Sequence, residues 1–84
     1  MEPTELMGWV EQACAELGIP ALDLETVTLT LDMTGVIAHE VARPAAPLTA
    51  LIVGLAAASD PHGKDIGASI RAVESLALRG KNNV

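Results

Sequence analysis

One stretch restricts what this chain can fold into more than any other. Residues 45–58 are apolar except for Thr49, although Pro47 lies near the start of the run and a polar, turn-forming sequence follows at 59–63. Spanning a bilayer takes about 20 apolar residues, and this run is shorter. The overall mean hydropathy of +0.38 therefore reflects a buried central helix. We predict no membrane association.

The material for a core is almost entirely aliphatic. Trp9 is the only aromatic residue, because the chain contains no Phe and no Tyr, while half of its 84 residues are hydrophobic. Leu, Val, Ile and Ala must therefore fill the interior, which suits closely packed helices. At this length we expect one domain that buries about 60% of its unfolded surface.

The positions of Gly and Pro divide the chain into four segments, each with a helical pattern. Gly18 and Gly80 are natural stops, Thr4 is a plausible N-cap, and Pro47 suits a first helical turn. The fold class predicted is all-α, a compact bundle of four helices in a single domain over 1–84. The helices are expected at about 4–17, 23–42, 47–58 and 65–79.

Helical spacing of apolar residues predicts which face of each helix is buried. Trp9 admits two interpretations, an exposed anchor for a partner or part of the core, and its apolar neighbours favour the core. The predicted inner stripes are Leu6, Trp9, Val10, Ala13 and Leu17; Leu24, Val27, Leu31, Thr34, Ala38 and Val41; and Ile66, Ile70, Val73 and Ala77.

The second segment is ambiguous, because residues 27–33 alternate apolar and polar side chains as a strand would. The chain offers no second convincing strand to pair with it, so we predict a helix. The third helix repeats a small residue every four positions, at Ala46, Ala50, Gly54 and Ala58. Such a ridge permits close helix packing, either against a similar strip at Gly35, Ala38 and Ala42 or between two subunits of a homodimer.

The net charge is −6, and residues 1–40 contain eight acidic residues but no Lys or Arg. This balance opposes binding to nucleic acid or to an anionic membrane surface, since both need clustered cations. The N-terminus has neither the basic region nor the apolar stretch of a secretion signal, which predicts a cytoplasmic protein. The single cysteine, Cys14, is expected to be a buried small hydrophobe.

Asp32, His39 and Arg43 share one face of the second helix and end at the turn into the third. An arginine, an imidazole and a helix N-terminus suit a carboxylate or phosphate. Equally, Arg43 and His39 can cap terminal carbonyls, with Asp32 or Glu40 as a salt partner. Both interpretations remain open at this stage.

Other chemistry finds little support in the sequence. His39, His62 and Cys14 show no recognised metal-ligand spacing, the glycines are isolated, and no phosphate-binding loop motif occurs. Cys14 lacks the positive neighbours that would lower its pKa for nucleophilic work. We predict that the chain is not an enzyme and holds neither a metal nor a cofactor.

The segment AHEVARPAAPLT, residues 38–49, is distinctive. It resembles a small bacterial helical domain of uncharacterised function that occurs alone or attached to molybdenum cofactor guanylyltransferase. Trp9, Leu17-Gly18-Ile19, Leu31-Asp32 and residues 51–57 extend the resemblance over most of the chain. The family implies a non-catalytic accessory module that binds this transferase, the enzyme that attaches GMP to molybdopterin.

The candidate contact site is the turn between the second and third helices together with its neighbours. An alternative hypothesis is a helical protein that binds a small anion, a nucleotide or a pterin at the same place; another is a homodimeric structural module. The candidate binding residues are Asp32, His39, Arg43, Pro44, Pro47 and Thr49.

Overall fold

A computed structural model describes residues 2–59 and 65–82 of the chain. The described residues form four α-helices and no strand, so the predicted all-α bundle of four helices is confirmed. The ambiguous segment 27–33 is helical. The helices are α1, Pro3–Glu16; α2, Leu24–Glu40; α3, Ala45–Ser59; and α4, Ile66–Asn82.

Helix α1 begins earlier than predicted and stops where predicted. Glu2 occupies the N-cap position and makes no side-chain cap, so Thr4 is not the cap. At the other end Gly18 has φ +70°, a left-handed conformation that glycine adopts without a Cβ penalty. The N–H of Ile19 donates to the carbonyl of Cys14, which completes a Schellman ending.

Local hydrogen bonds stabilise the threonine-rich start of helix α2 in the helical conformation. The Asp23 carboxylate accepts from the N–H of Thr26 at 2.8 Å, which caps the helix. The Thr30 hydroxyl donates to the carbonyl of Thr26 at 2.8 Å, and the Thr34 hydroxyl donates to that of Leu31 at 2.9 Å. Because the backbone of the same helix satisfies these hydroxyls, the threonines need no strand partner.

The cap at Asp23 predicts a pH dependence. The Thr26 hydroxyl and then the Thr26 N–H lower the pKa of Asp23, because both hydrogen bonds favour the carboxylate. A lowered folded-state pKa stabilises the fold above the unfolded pKa, and this contribution disappears as the pH falls through the folded value. We expect chemical denaturation to show a loss of stability in this acidic range. Asp23→Asn, which caps without titrating, should lose less.

The turn into α3 is short and hydrogen-bonded. The N–H of Ala45 donates to the carbonyl of Ala42 at 3.0 Å, and that of Ala46 donates to Arg43 at 3.1 Å. Helix α3 thus begins at Ala45, two residues before the predicted start. Pro47 lies in its first turn, where a missing N–H costs nothing. We call residues 43–47 the elbow.

Helix α4 begins after Asp65, whose carboxylate accepts from the N–H of Gly67 at 3.0 Å. It continues through Gly80 to Asn82, so the prediction that Gly80 ends the helix is wrong. The turn-forming sequence at 60–63, which includes His62, lies outside the described residues, as do residues 83–84.

The core forms where α2, α3 and α4 pack together. Met33 at its centre is 0% exposed, and Ile70 of α4 is almost as deeply buried. The predicted stripe of α4 is confirmed, since Ile70 and Ala77 are buried and Ile66 and Val73 pack against the cluster. The buried members are Met33, Ile37, Ala46, Val53, Ile70 and Ala77.

The predicted stripe of α2 is correct in part. Val27 is buried and Ala38 packs against the core, as predicted. Leu24, Leu31 and Val41 are exposed, whereas Met33 and Ile37, which the stripe omitted, are buried in the core. The buried side of α2 is therefore rotated toward Met33 and Ile37 relative to the predicted stripe.

Helix α3 has its small residues inside and its large residues outside. Ala46 and Val53 are buried and Ala50 is half-buried, so part of the predicted ridge packs as expected. Gly54 and Ala58 are exposed, and a Cβ on Gly54 or on Gly35 would meet no atom within 4 Å. The predicted close approach at those positions is wrong. On the opposite side, Leu48, Leu51, Ile52 and Leu55 are each 58–60% exposed.

Helix α1 makes few contacts with the rest of the bundle. Its Leu6 and Val10 line a small apolar gap of about 150 Å³ with Val27 and Leu31 of α2. Cys14 is buried, as predicted, but Trp9 is 61% exposed. The prediction that Trp9 belongs to the core is wrong. The buried side of α1 carries Cys14, and Trp9 lies on a different side of the same helix.

The bundle is flat and exposes a large surface. Its extents are 43 × 35 × 19 Å and its radius of gyration is 13.7 Å, against roughly 12 Å for a compact domain of this length. The accessible surface is 6127 Å², whereas a compact monomer of this mass exposes about 4,700 Å². Much apolar surface consequently faces outward.

Candidate functional site

The C-terminal end of α2 and the elbow carry most of the predicted site residues. His39 lies in the last turn of α2, Arg43 and Pro44 follow its end, and Pro47 lies in the first turn of α3. All four are exposed, as is Asp32 farther back on α2. The α2–elbow–α3 connection thus brings His39, Arg43, Pro44 and Pro47 onto a short stretch where all four are accessible.

His39 and Glu40 form the main polar contact at this end of α2. Nδ1 of His39 lies 3.2 Å from Oε1 of Glu40. The imidazole side chain is 81% exposed, whereas the Glu40 side chain is 14% exposed. When the imidazole is protonated this contact is an ion pair, and a cation in the last turn also favours the helix dipole. The predicted salt partner for His39 is therefore Glu40.

Arg43 and Asp32 behave differently from that pair. Within residues 2–59 and 65–82, the side chains of Arg43 and Asp32 make no hydrogen bond or ion pair. The predicted capping of α2 carbonyls by Arg43 does not occur there. The Arg43 guanidinium is thus presented to solvent with its donors available to a ligand or partner.

Apolar side chains surround the elbow. Val41 just before it and Leu48 just after it are both largely exposed. Thr49 is half-buried and is the only polar residue among the described residues that line a groove of about 250 Å³ between α2, α3 and α4. The other lining residues are Ile37, Val41, Ile52, Val73, Leu76 and Ala77. Such a groove accommodates an aliphatic side chain better than an anion.

A second apolar surface was missed at the sequence level. We define the outer face of α3 as Leu48, Leu51, Ile52 and Leu55, all largely exposed. Their spacing of i, i+3, i+4 and i+7 places them on one side of the helix. The signal was present in the sequence, because every large residue on that spacing lies opposite the alanine ridge.

A third exposed feature lies on α1. Trp9 and Leu17 border an open depression of about 380 Å³, which Gln12, Ala13 and Glu16 complete. Glu16 gives this depression an acidic side chain. No predicted site residue lies in it.

No group of three or more His, Cys, Asp or Glu residues that could hold a metal ion occurs within 2–59 and 65–82. Over the same ranges, no helix combines the length and apolar character needed to cross a membrane. His62 lies outside these ranges.

Comparison with known proteins gives one match. Residues 1–83 match the model of a family described as a domain of unknown function, DUF6457. No curated protein and no solved structure matches the chain significantly.

Proposed function

We propose that this chain, which belongs to the family of domains of unknown function DUF6457, is a non-catalytic module that binds a protein partner through its elbow. The observation that carries the proposal is the exposed combination of Arg43 with Val41, which is 59% exposed. Arginine and accessible apolar side chains are the elements from which binding hot spots are built.

The backbone of the elbow suits this role. Two hydrogen bonds, Ala45 to Ala42 and Ala46 to Arg43, fix the turn, and Pro44 and Pro47 restrict its φ angles. A partner that binds a preformed turn loses little conformational entropy on association. The groove that begins at Val41 and Thr49 gives an apolar anchor of the partner a place beside Arg43.

The partner that we propose is a molybdenum cofactor guanylyltransferase. Support comes from the resemblance of residues 38–49, which include the whole elbow, to a small domain found alone or attached to that enzyme. Stand-alone and fused forms of one domain often act on the same protein. In this proposal the chain contributes a binding surface, and the transferase contributes the chemistry.

Isothermal titration calorimetry of the transferase with Arg43→Ala tests the proposal. We expect the variant to weaken binding by roughly tenfold or more, since truncating an interface arginine costs over about 1.4 kcal/mol. Arg71→Ala is the matched control. Arg71 is also an exposed arginine, in the first half of α4, with only a 4.0 Å contact to Asp65, and its loss should leave binding unchanged.

Two results would contradict the proposal. Absence of binding between the transferase and the unmodified chain at tens of micromolar would exclude this partner. Equal weakening by Arg43→Ala and Arg71→Ala would show that binding depends on general charge rather than on the elbow. Circular dichroism of both variants should match that of the unmodified chain, because both arginines are exposed.

A further inference from the structure

We infer that the outer face of α3 is the interface of a two-fold symmetric homodimer in which the α3 helices of two copies pack antiparallel. The interface residues are Leu48, Leu51, Ile52 and Leu55. The inference is independent of the transferase, since it concerns a second copy of this chain.

Helix α3 has the reverse of the usual arrangement of a surface helix. A helix on the surface of a monomer normally turns its large apolar residues inward and its polar residues outward. Helix α3 has no charged residue at all, and its buried side carries Ala46 and Val53 while four large aliphatic side chains lie outside. Because a helix that is apolar all round is normally covered on every side, the outer face lacks its covering in the single chain.

The exposed area is compatible with such an interface. The chain exposes roughly 1,400 Å² more than a compact monomer of its mass. A stable interface of standard size removes about 800 Å² from each partner. The whole-chain excess, to which the largely exposed outer face of α3 contributes, is larger than the area that a second copy would cover.

A second copy of the chain fits this face. The chain has a net charge of −6, but none of its charges lies on α3, so two copies meet on uncharged surfaces. Antiparallel helices place opposite ends of their dipoles side by side. An isologous contact of this kind closes on itself.

Sedimentation equilibrium tests the inference directly. We expect the unmodified chain to sediment with twice its 8.7 kDa mass, in a concentration-dependent equilibrium. Leu51→Asp should raise the dissociation constant by roughly a hundredfold or more, because the two-fold axis places the carboxylate in the interface twice. Leu17→Asp, an equally charged change on the exposed end of α1, is the control and should leave dimerisation intact.

Cysteine cross-linking tests the orientation. In an antiparallel pair centred between Leu51 and Ile52, position 48 of one copy faces position 55 of the other. Each of these positions lies roughly 10 Å along the axis from its own symmetry mate, which is too far for a disulfide. A mixture of Leu48→Cys and tagged Leu55→Cys chains should therefore form mixed cross-links in preference to self-linked ones. The unmodified chain, whose Cys14 is buried, is the control.

Three outcomes would overturn the inference. A monomeric mass for the unmodified chain at several hundred micromolar would exclude the dimer. Equal effects of Leu51→Asp and Leu17→Asp would place the interface away from the outer face. Self-linked Leu48→Cys dimers in excess of mixed ones would exclude the antiparallel orientation. Transferase binding is tested at Arg43 and dimerisation at Leu51, so the inference and the proposed function can fail separately.

Discussion

Replacing Val53 with aspartate should unfold the protein. The Val53 side chain is 3% exposed and belongs to the cluster formed by α2, α3 and α4. The substitution removes about 1.5–3 kcal/mol of apolar burial and places an unpaired carboxylate in the core at a further cost of several kcal/mol. A domain of this length has roughly 4–13 kcal/mol of stability in total. We expect circular dichroism at neutral pH to show loss of most helical signal.

The matched control lies two residues away on the other side of the same helix. Leu51→Asp introduces the same charge into α3 on its outer face, where the leucine is 59% exposed. The helical spectrum should be retained, because the carboxylate remains in water. Equal unfolding of Val53→Asp and Leu51→Asp would contradict the inside-out arrangement of α3.

Truncation of the most deeply buried side chain should have the second largest effect. Met33 is 0% exposed and contacts the core from the middle of α2. Met33→Ala should lower the free energy of unfolding by about 2–5 kcal/mol, since it removes buried volume that the surrounding helices cannot fill. Urea denaturation followed by circular dichroism measures the change.

Leu24→Ala provides the comparison for Met33→Ala. It truncates a large apolar residue at the start of the same helix, at an exposed position. Its effect should stay within about 0.5 kcal/mol, as for ordinary surface positions. A larger loss for Leu24→Ala than for Met33→Ala would mean that the side of α2 predicted from apolar spacing, rather than the side seen in the structure, faces the core.

The contrast between α4 and α2 shows where sequence patterns suffice. In α4 the charged residues Arg71, Glu74 and Arg79 mark the outer side, so the positions of Ile70 and Ala77 follow from spacing. In α2 the predicted stripe included Thr34 and omitted Met33. Large apolar residues lie on more than one side of this helix, since Leu24 and Leu31 are exposed, so spacing alone could not reveal that Met33 faces the core.

Apolar spacing could not predict the orientation of α3 either, but for a different reason. Its residues are apolar in every direction, so no polar side identifies the solvent. Trp9 illustrates the same difficulty on α1, where size and apolar neighbours suggested burial. Trp9 is exposed because α1 makes few contacts with the other helices. Such contacts belong to the tertiary structure and cannot be predicted from the spacing within one helix.

The position of the candidate site could be predicted from the sequence, whereas much of its chemistry could not. The prolines and the helical spacing placed His39 and Arg43 at the α2–α3 turn, and the structure has them there. The contact of His39 with Glu40 was one of the options considered, whereas the apolar groove beside Thr49 was not. That groove depends on three helices that meet in space, which a linear pattern does not reveal.

The central claim is that the elbow is a protein-binding surface, and an NMR titration tests it most directly. Amide spectra of the labelled chain would be followed during addition of the unlabelled guanylyltransferase, and separately of phosphate and of GTP. We predict shifts or line broadening concentrated in residues 39–49 with the transferase, and unchanged spectra with phosphate and GTP. Spectra that remain unchanged with the transferase at tens of micromolar, or that shift at His39 and Arg43 with phosphate alone, would contradict the claim.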